Sequence, residues 1–246
     1  MAHAGRCHRA TRSVALSIFL VVRATNARPL APQPSPPSSL VDADDAKGAA
    51  VFKVMLVGDS TANSLGWGLR GVRKPGMVFE LLGQDGCTML ADMCGGPQWA
   101  QQTKDVHPNA TLVVLGGAFL HGLTVDGQWR KSCYPGWDTI FESTLAKRLA
   151  DLKSTDGRVW VVTIPYVLGP WETQTFRHEV DCINTSIRKA ATSVDGVRTL
   201  ELGERLCPKG VCLREFEGAE IRPDGVHYSV DGAVDLSRWV LEQIQR

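Results

Sequence analysis

A serine, a histidine and an aspartate stand out by type and placement. Residues 54–69 read VMLVGDSTANSLGWGL, an apolar run that breaks at Gly58-Asp59-Ser60 and delivers Ser60 to the start of a helical segment. A serine hydroxyl is a poor nucleophile until a base takes its proton. The histidines that could serve are His107, His121, His178 and His227, and His227 stands apart. In IRPDGVHYSVDGA (221–233), Asp224 precedes it by three residues across a Pro-Asp-Gly turn. That spacing lets the carboxylate accept the imidazole Nδ1–H, fix the tautomer and stabilise an imidazolium, leaving Nε2 to face a hydroxyl. The chemistry implied is acyl transfer from an ester through an acyl-serine. Its oxyanion would need donors, and the N–H groups of Ser60 and of Gly86, in GQDGC, are the candidates. Gly-Asp-Ser and Asp-Gly-x-His are each ordinary turn sequences. Position raises them above that, since one follows the first strand-like run and the other precedes the last helical one.

Apolar runs at Phe52–Val57, Met77–Leu82, Thr111–Leu115, Val159–Ile164 and Val197–Leu202 lack strict alternation, as expected of parallel strands buried on both faces. Helices are predicted at Thr61–Arg70, Pro97–Val106, Trp137–Lys153, Thr175–Ser193 and Val230–Gln245. In the third of these, Ile140, Phe141, Leu145, Leu149 and Leu152 share one face. Alternating strands and helices predict an α/β domain of three layers, with sites at the carboxyl ends of the strands. The loops after the first, third and fifth strands therefore matter most: Gly58–Thr61, Gly116–Asp126 and Gly203–Ser229.

Rival motifs fail on placement. Gly66-Trp67-Gly68-Leu69-Arg70-Gly71 has the spacing of a dinucleotide fingerprint but lies inside the predicted helix, where no pyrophosphate geometry forms. No Gly-Lys-Ser/Thr follows for a P-loop, and Ala62 occupies the last glycine position of a G-x-S-x-G elbow. With 22% charged residues and a net charge of +1, nothing in the balance favours nucleic acid or an acidic membrane surface. No metal or organic cofactor is implied.

The first fifty residues read differently from the rest. Arg6, Arg9 and Arg12 precede the apolar stretch Ser13–Val22, with small residues at Ala24 and Ala27, the order of a secretory signal over residues 1–27. Residues 28–50 are rich in Pro, Ser and Ala and read as a linker, so the folded domain is expected over 51–246. Its six cysteines, Cys87, Cys94, Cys133, Cys182, Cys207 and Cys212, fit a disulfide framework in an oxidising compartment. Short separation favours Cys207 with Cys212 and Cys87 with Cys94. A zinc site is disfavoured for want of a C-x2-C pair or a histidine at ligand spacing.

The Ser60 and Asp224–His227 blocks together resemble the SGNH (GDSL-type) hydrolase family. The resemblance runs over about residues 53–245 and includes the Val180-Asp181-x-x-Asn184 helix, the Leu206-Cys207-Pro208 loop and RPDGVHYS. It is nearest to SGNH domains related to acyltransferases of surface polysaccharides. The resemblance implies a flavodoxin-like three-layer α/β/α fold on a mostly parallel five-stranded sheet. It also implies Ser60 as nucleophile, His227 as base, Asp224 as its partner and Gly86 as an oxyanion donor. The expected activity is that of a secreted serine ester hydrolase or O-acyltransferase acting on acetyl groups of carbohydrates, without stable membrane insertion. The family's third block usually adds an Asn side chain, but Leu115-Gly116-Gly117-Ala118-Phe119-Leu120-His121 has none. His121 is a candidate in its place, and a catalytically weak glycan-binding domain is the alternative reading. Trp67, Trp137, Tyr166 and Trp171 could stack on sugar rings or pack in the core, and Trp171 joins His121 as a candidate for substrate contact.

Overall fold

The computed structural model describes residues 51–246 except 88–95, 118–121, 126 and 217, and describes Trp171 by its backbone alone. The expected signal and linker, Cys94 and His121 lie outside the described residues.

Five strands form one parallel sheet: β1 (Phe52–Gly58), β2 (Met77–Gly83), β3 (Ala110–Val114), β6 (Arg158–Val162) and β7 (Val197–Leu200). Their spatial order is β2-β1-β3-β6-β7. Two short antiparallel hairpins lie apart from the sheet, β4 (Leu123–Val125) with β5 (Gln128–Arg130), and β8 (Glu215–Phe216) with β9 (Ala219–Glu220). The helices are α1 (Ser60–Gly71), α2 (Gly96–Val106), α3 (Trp137–Asp151), α4 (Gln174–Thr192), the single turn α5 (Leu202–Leu206) and α6 (Val230–Ile244).

The sheet is buried on both faces, which is why its strands read as unbroken apolar runs. Met55, Val57, Val113, Val159 and Val161 face one core with Phe141, Leu145 and Leu149 of α3 and Val180, Ile183 and Ile187 of α4. Val54, Leu56, Leu112, Val114 and Val162 face the other with Leu65 and Leu69 of α1 and Leu236 and Val240 of α6. Helices on both faces make the domain a three-layer α/β/α fold of flavodoxin-like strand order. Trp137 stacks on Phe141 and is a core residue, 1% exposed, not a platform for sugar.

After β1 the chain goes to one side for β2 and returns past it to the other side for β3. The carboxyl end of β1 is thus the point where strand order reverses, where such sheets form a crevice. Among the described residues no helix is long and apolar enough to cross a membrane.

Two disulfides close among the described residues. Cys207–Cys212 follows the expectation from short separation, whereas Cys133–Cys182 joins residues 49 apart. The pairing of Cys87 with Cys94 involves a residue outside those described. A histidine does stand at ligand spacing from the cysteines, against the expectation from the sequence. His178 lies one helical turn before Cys182, and its ring, with the sulfurs of Cys182 and Cys133, falls within 4.8 Å. Both sulfurs are engaged in the disulfide.

Candidate active site

The turn that presents Ser60 is built from three neighbouring residues. Gly58 takes φ +145°, and a Cβ there would lie 1.8 Å from the carbonyl oxygen of Val114 on β3, so only glycine fits. Asp59 is the N-cap of α1. Its Oδ1 accepts from the Thr61 N–H at 2.8 Å and the Thr61 hydroxyl at 2.5 Å, and its Oδ2 accepts from the Gly117 N–H at 2.6 Å. Thr61 Oγ1 accepts in turn from the Gly116 N–H at 3.0 Å. The aspartate of Gly-Asp-Ser therefore ties the loop after β1 to the loop after β3. Burial pushes its carboxyl above the ordinary value, against the pull of these donors. Ser60 is the first residue of α1, so its N–H is one of the four that a helix leaves without an internal acceptor.

The second half comes from the loop before α6. Arg222 to Gly225 form a turn closed by Gly225 N–H to Arg222 C=O at 2.9 Å. Gly225, at φ +87°, lies where a Cβ would sit 2.1 Å from Leu168 O, and it accepts the Leu168 N–H at 3.0 Å. The loop is thereby locked against the segment after β6. That segment is held from α4: Asn184 accepts the Ile164 N–H at 2.7 Å and donates to Ile164 O at 2.8 Å, and Tyr166 donates to Asp181 at 2.6 Å. The Val-Asp-x-x-Asn residues thus brace a loop and do not enter the site. Packing of α1 on α6 brings the halves together, with the Tyr228 N–H reaching Ser64 Oγ at 3.3 Å.

The result is a continuous chain of hydrogen bonds. Ser60 Oγ lies 2.7 Å from His227 Nε2, and His227 Nδ1 lies 2.6 Å from Asp224 Oδ2. The other oxygen of Asp224 accepts the backbone N–H groups of Val226 and His227 at 2.9 and 2.7 Å. An ionised carboxylate only accepts, so Nδ1 carries the ring proton and Nε2 is free to accept from the serine hydroxyl. Burial alone would raise the Asp224 carboxyl. The imidazole and the two backbone donors outweigh it and hold the group below its ordinary value of 3.8. Ser60 and His227 are half-buried, so the serine is open to a ligand.

Gly86 sits in an exposed turn that prolongs β2 beside the end of β1, where the Gln84 N–H bonds Gly58 O at 2.9 Å. Asn63 of α1 holds that turn through Asp85 at 2.7 Å. Gly86 is thus brought to the same end of the sheet as Ser60. Trp171 closes the short 3-10 turn Gly169–Trp171 after β6. Trp67 lies on α1, partly exposed, with the Arg70 guanidinium 5.2 Å from its ring.

Two residues escaped the sequence reading. Arg222 is 2% exposed, donates to Tyr166 O at 2.6 Å and leaves Nε without a partner. Burial holds its guanidinium below the ordinary value. Tyr228 is buried beside it, and burial pushes its phenol up to about 12. Both flank the Asp-x-x-His block, and their proximity to it was the available signal.

No protein-family model and no curated protein matches the chain. Its likeness is to solved structures. A lipase/acylhydrolase from Enterococcus faecalis superposes with a TM-score of 0.54 over 79% of this chain and 96% of that one, at 16% identity. A mutant of an acetyl-xylooligosaccharide esterase from Geobacillus stearothermophilus gives 0.55 over 82% and 97%, at 18% identity. LAE5, an alpha/beta hydrolase enzyme from the metagenome of Lake Arreo in Spain, gives 0.53 over 80% and 96%, at 16% identity. At such identities the likeness establishes the fold, which this chain shares with acylhydrolase and esterase structures.

Proposed function

We propose that the protein is a serine ester hydrolase acting on acetyl groups of carbohydrates, with Ser60 as nucleophile, His227 as general base and Asp224 as its orienting partner. The observation that carries this reading is the unbroken path from Ser60 Oγ through His227 to Asp224. Ser60 Oγ attacks the acyl carbonyl while His227 Nε2 takes its proton. The tetrahedral oxyanion is met by the Ser60 N–H and the Gly86 N–H. As the oxyanion collapses, the C–O bond to the sugar breaks and His227 returns the proton to the leaving hydroxyl. Water then attacks the acyl-serine by the reverse sequence, releasing acetate. An acceptor hydroxyl in place of that water would make the same site an acetyl transferase.

The choice of acetylated carbohydrate is supported by neighbours described as esterases of acetylxylan and acetyl-xylooligosaccharide. Two disulfides support an extracytoplasmic location. His121 and Trp171 are kept as candidates for substrate contact. The test is labelling with a fluorophosphonate, followed by acetate release from acetylated xylan. Ser60→Ala is expected to abolish both while leaving the fold intact. A folded wild-type protein that takes no Ser60-dependent label would sink the reading. Acetyl groups appearing on an added sugar acceptor, in excess of free acetate, would assign transfer in place of hydrolysis.

A further inference from the structure

The turn that carries Asp224 and His227 begins with a cation that the proposed reaction leaves unexplained. Arg222 is 2% exposed, and its guanidinium reaches only uncharged acceptors. Nη1 donates to the Tyr166 carbonyl at 2.6 Å, Nη2 lies 3.9 Å from the Cys207 sulfur, and Nε has no partner. Among the described residues no carboxylate is paired with it. Glu172 is engaged by Arg177 and Arg214, and Asp224 by His227. With Thr61 and Val226, Arg222 lines a cavity of about 10 Å³, room for a single water, so bulk solvent does not hydrate the charge. A buried cation without an anion lowers stability, and an apolar residue of similar volume is often neutral or better in such a place. Conflicts of that kind between a residue and its surroundings are expected where function requires them.

The position of Arg222 says what the requirement is. Asp224 lies between two ties that join its turn to the segment after β6. On one side Arg222 donates to Tyr166 O, and on the other Gly225 O accepts the Leu168 N–H at 3.0 Å. Tyr166 is itself fixed from α4 through Asp181. A single tie would leave the turn free to rock about it. Two ties, on residues three apart, fix the direction in which Asp224 points and, through their bond, that of His227. The cavity that Arg222 lines is also bounded by Thr61, which follows Ser60, and by Val226, which precedes His227. Arg222 therefore stands behind the place where the two halves of the site meet. A hydrogen bond from a charged donor is shorter and roughly twice as strong as one between neutral groups, so a cation makes the stiffer tie. Stiffness matters there, because a misplacement of about 1 Å in a reacting geometry costs on the order of 10² in rate.

We infer that Arg222 is a positioning residue for the reaction, holding the turn of Asp224 and His227 in register with Ser60 through its buried bond to the Tyr166 carbonyl. This rests on the ester-hydrolase reading, and the experiment separates the two. Arg222→Met fills similar space without donor or charge, and Arg222→Lys returns both. The full chain and each variant are compared for kcat and KM on a small aryl acetate, rate of fluorophosphonate labelling, and urea midpoint. Arg222→Met is expected to lower kcat and the labelling rate about 10²-fold, with KM within about twofold and the midpoint at or above that of the wild type. Arg222→Lys is expected to recover at least about tenfold of that loss. An Arg222→Met protein that keeps kcat within about threefold overturns the inference, as does a loss carried by KM instead of kcat. A methionine variant that unfolds at lower urea than the wild type, or does not fold, makes Arg222 a part of the fold alone and overturns it too. So does a lysine variant no faster than the methionine one. Folded wild type without Ser60-dependent label discards the hydrolase and this role with it. A labelled wild type that Arg222→Met matches discards the role of Arg222 alone.

Discussion

At the scale of single residues, the site depends on how one carboxylate divides its two oxygens. Asp224 Oδ1 holds its own loop through two backbone N–H groups, and Oδ2 meets the imidazole. An asparagine of the same shape cannot serve both edges, because its amide nitrogen must face either two N–H donors or Nδ1. If it faces Nδ1, the imidazole is driven to the tautomer whose Nε2 carries a proton and no longer accepts from Ser60. Asp224→Asn is therefore expected to lower kcat by about 10³–10⁴ with KM for a small ester changed little, the effect known for a triad aspartate. Steady-state kinetics on an aryl acetate checks this, and a loss below tenfold would remove Asp224 from the mechanism. Gly58 carries a different kind of constraint. Alanine there combines a left-handed φ with a Cβ 1.8 Å from Val114 O, so β1 and β3 must separate at the strand end. Gly58→Ala is expected to cost at least ~2–4 kcal/mol of stability, read by urea denaturation, and to displace the serine. A wild-type midpoint would show that the turn relaxes freely.

At the scale of elements, connection length separates what the sequence showed from what it hid. The five sheet strands and the five long helices were legible within a residue or two at most ends, because each buries a continuous face that leaves an apolar run or a helical stripe. The Ser60 and Asp224–His227 blocks were legible because Gly58, Asp59 and the Pro-Asp-Gly turn are local signals. The β4–β5 hairpin was not, since three-residue strands are too short to show a period. The Cys133–Cys182 bond was equally hidden, for nothing local marks a contact across 49 residues. That bond should matter more to the unfolded chain than the bond across five residues between Cys207 and Cys212. Loop-closure entropy gives about 4 kcal/mol for the longer loop and about 2 kcal/mol for the shorter. Replacing both cysteines of a pair by serine should lower stability in that order, measured by urea denaturation. A shorter-loop variant that is the less stable of the two would show that native contacts outweigh chain entropy.

At the scale of the whole molecule, the packing that joins α1 to α6 also sets how stability responds to pH. On the acid side, Asp224 holds its proton less tightly in the folded chain than at its ordinary value of 3.8. As pH falls, the unfolded chain takes up that proton first, so the contribution of Asp224 is complete above 3.8 and is lost as pH falls through the depressed folded value. Glu201, held low chiefly by its hydrogen bond from Arg188, acts in the same direction. On the alkaline side the sign is reversed. The Tyr228 phenol is pushed from 10.0 to about 12 by burial, with Arg222 opposing and Asp59 assisting. The folded chain keeps the proton that the unfolded chain surrenders near pH 10, so this contribution is whole below pH 10 and is lost as pH rises to about 12. The amount at stake is roughly 2–3 kcal/mol for a shift of that size. Tyr228→Phe keeps the ring in the core between α1 and α6 and removes the titration. Its stability should therefore decline less than that of the wild type between pH 10 and 12, a difference read from urea midpoints at each pH. Tyr166, raised by its bond to Asp181, titrates in both proteins and cancels in that comparison. Parallel curves for the two proteins across this interval would mean that the phenol reaches water in the folded chain and that the packing of α6 on α1 is looser than the structure has it.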